Sequence, residues 1–243
     1  MTTTNWISLL FIIGLIILHF SEKYLNLSTK DPRSKLLSFA GGATIAYSFI
    51  FLIPELAHYN DVLKRLIGSE SWLAFFEEYT YTLAFLGLLI YYGLDLLMSA
   101  RKKKTGDTGN GLFAVHIAAF FFYNFFIGYL LVIQDFKSYW AMIVFFIALG
   151  LHFIASDHSL KAIHEEDYDK YGRWFLVAAI FAGWLTAVLF NPSEAFAAVG
   201  ISFLAGGLLF NTFKDDVREG SSHNYWAFAG GAVLIAFLYM LTH

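Results

Sequence analysis

Eight long apolar runs, parted by short charged connections, constrain this chain more than anything else in it. They fall at about 6–20, 36–57, 79–98, 112–133, 139–161, 174–190, 195–213 and 225–241. A bilayer core takes about 20 apolar residues per helix, with a range of about 17–25. Every run meets or approaches that length. Membrane strands would instead be about 10 residues long with alternating polarity, and a run such as LLSFAGGATIAYSFIFL does not alternate. Within lipid each segment must satisfy its own backbone groups. The expected fold is therefore all-α, a polytopic membrane protein with eight transmembrane helices in one membrane domain, 1–243. Composition agrees, since 58% of the residues are hydrophobic and 14% charged, against about 45–50% and about 25% in soluble domains. A soluble monomer with this much apolar surface would aggregate, which excludes a soluble enzyme; a disordered chain is excluded as well.

The basic residues test the span count independently. With connections placed on alternate sides, 13 of the 16 Lys and Arg fall on one side, including Lys23, Arg101 to Lys104, Lys161, Lys170, Arg173 and Lys214. Lys64, Arg65 and Lys137 fall on the other. The positive-inside rule makes the richer side cytoplasmic, with both termini outside and the plasma membrane as the expected location. Met1 to Asn5 carries no Lys or Arg, so the first run reads as a retained span rather than a signal peptide. Cysteine is absent and the net charge is −3, so thiolate metal sites are excluded and no basic footprint for nucleic acid exists. The lipid bilayer is the expected partner.

An internal repeat is suggested by small residues. Span 2 carries Ala40-Gly41-Gly42 and reaches Glu55, while span 7 carries Ala205-Gly206-Gly207 and reaches Glu219. The two spans run in opposite directions, so a 3 + 2 + 3 arrangement would pair them as inverted copies around spans 4 and 5. The alternative is that small residues simply let helices approach, as Ala229-Gly230-Gly231 in span 8 would do.

Polar groups at membrane depth are costly and point to function by default. His116 and His152 are the histidines inside spans, and Asn124 is the deep asparagine. Asn124 and His152 sit near the midplane on consecutive antiparallel helices, so they are expected to face each other, each with hydrogen-bonding glue between helices as the alternative role. His152, Ser156 and Ser159 share one helical stripe, as do His116, Phe120, Tyr123 and Ile127. His116 reads as interfacial, and His19 as lying at the cytoplasmic end of span 1. Asp157 is expected to pair with Lys161 one turn on, and Asp95 with Arg101 to Lys104. The acidic run from His164 to Asp169 lacks the glycine and spacing of an EF-hand loop and reads as a solvated continuation of span 5. The run Phe120 to Phe126 reads as packing.

The chain resembles the ZIP family of zinc and iron permeases over most of its length. Phe39-Ala40-Gly41-Gly42 followed by Leu52-Ile53-Pro54-Glu55 is similar to the family's second span, and spans 7 and 8 are similar to its last pair. The family's fourth-span motif, roughly His-Asn-x-x-Asp/Glu-Gly, aligns with Tyr123-Asn124-Phe125-Phe126-Ile127-Gly128. The fifth-span motif, roughly His-Glu-x-Pro-Glu/His, aligns with His152-Phe153-Ile154-Ala155-Ser156. The resemblance implies a ZIP-like 3 + 2 + 3 arrangement and a metal site between spans 4 and 5. Its ligands would be Asn124 and His152, with Ser156 and Tyr123 as weaker ones. The cargo would be a divalent cation such as zinc, with no resident cofactor and no enzymatic activity, and a homodimer is compatible with it. That ligand set contains no carboxylate, and a divalent ion leaving water needs charged ligands to replace its hydration. The site would therefore hold a divalent ion weakly.

Two rivals stand beside the divergent permease. One is a non-transporting ZIP-fold sensor or partner subunit. The other is an intramembrane hydrolase drawing on His116, His152, Ser156, Asp157 and His158, although no HExxH-type spacing is present.

Overall fold

The computed structural model describes residues 3–25, 27, 34–67, 79–105, 109–133, 136, 138–164, 166–190, 193–217 and 224–241. Among the features above, Lys137, Glu165 and Glu219 lie outside the described residues. The regular structure of the described residues is helical. Helix α1 is Thr3–Ser21, α2 is Lys35–Tyr47 and α3 is Ile53–Ile67. They are followed by α4 (Tyr79–Thr105), α5 (Gly109–Ile133), α6 (Tyr139–His164), α7 (Arg173–Leu189), α8 (Glu194–Val217) and α9 (Tyr225–Met240).

Helices α2 and α3 are one rod joined by a π-helical turn, Ser48–Leu52. Its cause is local. Pro54 has no N–H to donate and its ring crowds the carbonyl four residues back, while Thr44 and Ser48 bond their hydroxyls to the carbonyls of Ala40 and Thr44 at 2.8 Å. The widened turn absorbs both effects, with Ile53 N–H reaching Ser48 O.

Among the described residues, six helices are long and apolar enough to cross a membrane, and the helices Asn5–Ser21 and Tyr225–Met240 are apolar but shorter. The chain is a multi-pass membrane protein by this measure. The apolar runs correspond to α1, the α2–α3 rod, α4, α5, α6, α7, α8 and α9. The rod runs about a helix-length of ten residues past the expected end of span 2, and α4 continues through Lys102 to Lys104.

Glycines set how these helices meet. The three closest pairs are α5 with α7, α2 with α9 and α4 with α8. In α5–α7, a Cβ on Gly128 would lie 2.0 Å from Ile180 O, and one on Gly183 would lie 1.9 Å from Phe125 O. Gly42 and Gly231 make the same approach in α2–α9, and Gly206 with Gly87 in α4–α8. Without a hydrophobic drive between helices in lipid, such backbone approach is a main source of association. Helix α1 packs on α6 and α7 more loosely, its Gly14 filled by the Phe146 ring and Gly150 by Leu18.

Candidate functional site

Helix α1 contributes the residue that organises the site. Its buried stripe is Ser8, Ile12, Leu15 and His19, spaced at helical intervals and all at most 1% exposed. Ser8 accepts the indole N–H of Trp184 on α7 at 2.9 Å, which anchors the N-terminal half of the helix. His19 lies three turns further on the same face.

His19 is not at a solvated helix end, as its position in the run suggests, but buried between α5 and α6. Its Nδ1 is 2.7 Å from Asp157 Oδ2 on α6 and its Nε2 is 3.1 Å from Asn124 Oδ1 on α5. The Asn124 Nδ2 donates to the Phe120 carbonyl at 2.9 Å, which fixes the orientation of the amide. Both ring nitrogens of His19 therefore face oxygens. A bare Nε2 would put two lone pairs face to face, so Nε2 carries hydrogen and a further proton lies in the Nδ1–Asp157 bond. Whether that proton is drawn on the ring or the acid, the pair has no net charge. That neutrality is what lets two ionisable groups persist in an apolar setting. Phe153 covers the imidazole at 4.5 Å between ring centres.

The expected pairing of Asp157 with Lys161 is corrected by this geometry. Lys161 reaches Asp169 at 3.7 Å, and Arg173 reaches the same carboxylate at 2.7 Å. Asp169 lies in a second π-helical turn, Tyr168–Gly172, at the start of α7. The acidic run is thus only partly solvated: Glu166 and Asp167 are exposed while Tyr168 is fully buried. Asp95 is likewise corrected, binding Lys214 on α8 at 2.7 Å rather than the basic run on its own helix.

His152 and Asn124 are both buried, at 3% and 2% exposure, but they do not bond each other. His152 Nε2 lies 3.0 Å from the Tyr123 hydroxyl, and Asn124 is engaged by His19. Ser156, the fourth expected ligand, lines a crevice between α5, α6 and α8 together with His116, Ser159, Asn211 and Lys214. His116 is buried among the helices at 4% exposure, its Nδ1 2.8 Å from His164 Nε2. The four expected ligands thus divide among adjoining polar clusters: His19–Asp157–Asn124, Tyr123–His152, and the crevice past Ser156. The stripe His116, Phe120, Tyr123 and Ile127 on α5 is buried as its spacing requires.

Sequence reasoning missed His19 and the reach of Asp157. The available signal was the eleven-residue spacing of Ser8 and His19, which puts both polar residues of the run on one face of α1. As arranged, the layer offers imidazole nitrogen, carboxylate and amide oxygens once its internal bonds open. Among the described residues, no three His, Asp or Glu side chains converge as a metal-holding group. Comparison with family models, with curated proteins and with solved structures found no match.

Proposed function

We propose that the chain is a divergent ZIP-like permease of the plasma membrane, crossing it eight times with both termini outside. Its cation would be handled between α5 and α6. The observation that carries this reading is the buried polar layer. Three largely apolar helices place His19, Asn124, Tyr123, His152 and Asp157 together at 1–3% exposure. Such groups are expensive at membrane depth and mark solute pathways.

Helix pairing supports the 3 + 2 + 3 arrangement. Exchange α1 with α7, α2 with α8, α4 with α9, and α5 with α6. The packing of α2 on α9 then becomes that of α8 on α4, α2 on α6 becomes α8 on α5, and α1 on α6 becomes α7 on α5, all of which occur. The glycines in contact, Gly42 and Gly206, come from the two Ala-Gly-Gly segments. His19 and Asp157 also supply an imidazole and a carboxylate at Asn124, where the motif positions Tyr123 and Ile127 lack them. The weakness expected of Asn124, His152, Ser156 and Tyr123 as a divalent-ion site is offset to that extent.

The closed set of hydrogen bonds favours one rival, a non-transporting sensor that retains the fold. An anomalous-scattering map of the protein soaked with zinc separates them. Density between Asn124 and His152, with Asn124 released from His19, is the expected result. An unchanged, hydrogen-bonded layer at saturating zinc overturns the assignment of these ligands.

A further inference from the structure

The crevice between α5, α6 and α8 carries a different ligand chemistry. Its enclosed part is small, with room for about one water-sized group, and the rest opens at the surface. It lies where α5 begins and where α6 and α8 end, the same end of the bundle as Arg101 to Lys104, Lys161 and Arg173. In a membrane this is the level of one leaflet's headgroups.

The uncommitted hydrogen-bonding capacity of the lining is donor capacity. Asn211 is 9% exposed, and its buried Nδ2 has no partner. Buried polar groups are nearly always paired, so this amide points to an acceptor that the described residues do not provide. Lys214 has three ammonium hydrogens, of which Asp95 takes one. At the rim, Lys102 caps the carbonyl of Ile163, a lining residue, at 3.3 Å. His116 is committed through Nδ1 to His164. Among the described residues, Asp95 is the carboxylate that meets Lys214, and Lys102 stands at the rim. An anionic acceptor would satisfy Asn211 and the spare hydrogens of Lys214.

We propose that this crevice binds a phosphate group, which seats at the mouth and turns one oxygen inward between Asn211 Nδ2 and Lys214 Nζ. Charge-assisted bonds from ammonium and amide suit that oxygen, and basic pockets at helix ends commonly take lipid headgroups. The two sources of such a group, an anionic lipid and free phosphate, are distinguished by the test.

The full chain is purified into nanodiscs of mixed phosphatidylglycerol and phosphatidylcholine, and the retained lipid is measured by native mass spectrometry. Phosphatidylglycerol is expected to be retained over phosphatidylcholine, and Asn211→Leu to reduce the retained phosphatidylglycerol by roughly tenfold, the worth of one charge-assisted hydrogen bond. Lys214→Arg is expected to keep the preference and Lys214→Met to lose it. The Arg variant retains the bond to Asp95, so it separates ligand loss from misfolding. In a parallel arm, inorganic phosphate is titrated in neutral detergent. A saturable thermal shift that Asn211→Leu abolishes would support the site and make free phosphate its ligand. Equal retention of both lipids with no phosphate-dependent shift overturns the proposal, as does an Asn211→Leu protein that behaves as wild type in both arms.

Discussion

Asp157 is the position where the tertiary account and the local one differ most. Paired with Lys161, it would sit in an i,i+4 surface pair, and its removal would matter little. Paired with His19, it belongs to a buried bridge between α1 and α6 whose side chains are 1% and 2% exposed and 2.7 Å apart. Removing one partner of a buried pair leaves the other uncompensated and costs about 3–5 kcal/mol, so Asp157→Ala is expected to destabilise by about 3 kcal/mol or more. Lys161→Ala breaks a partly exposed contact with Asp169 at 3.7 Å, worth about 0–1 kcal/mol. His19→Ala also loses the ring that packs on Phe153, so single-variant values do not isolate the bond. A double-mutant cycle does, and for a charge-assisted bond its coupling should be about 1.5–3 kcal/mol. Unfolding in detergent, followed by tryptophan fluorescence, reads the four proteins of the cycle and Lys161→Ala. If Asp157→Ala costs no more than Lys161→Ala, or if the coupling stays below about 0.5 kcal/mol, the level of independent sites, the triad is refuted.

Other expectations follow from the same structure. Gly128→Ala places a methyl 2.0 Å from Ile180 O and should cost at least about 1–3 kcal/mol in thermal unfolding, whereas Gly93→Ala meets open space and should be neutral or stabilising. Tyr123→Phe removes the hydroxyl facing His152 and should cost about 0.5–1.5 kcal/mol without unfolding the protein; a larger loss would mean that the pair also holds α5 against α6. Trp184→Phe loses the bond to Ser8 and should destabilise by a similar amount, about 0.5–1.5 kcal/mol, with Ser8→Ala adding little in the double variant.

Much of the fold is legible in the residues because lipid imposes one length and one backbone solution. The ends of α5, α6 and α9 fall within a few residues of the apolar runs for that reason. The π-helical turn before Pro54 is legible too, since it follows from a missing donor. What one helix's sequence does not carry is its register against another. His19 looks terminal when counted along its own run, yet α1 enters beside α6 at a height that brings it level with Asn124. Asp157 looks paired when read along α6, because Lys161 is one turn away, while the competing partner of Lys161, Asp169, belongs to a turn beyond the helix. That Asn124 and His152 lie near the middle of their helices was readable from the span centres. Their facing was not, because rotation about each helix axis is set by glycine contacts such as Gly128 with α7 rather than by the polar residues themselves.

The central claim is that the polar layer between α5 and α6 handles a cation. Uptake of a panel of divalent cations into vesicles reconstituted with the purified chain tests it most directly. The account predicts saturable uptake above that of empty vesicles, reduced at least tenfold by His152→Ala and by Asn124→Ala in proteins that remain folded. Uptake equal to empty vesicles for wild type and both variants, across the whole panel, would contradict it.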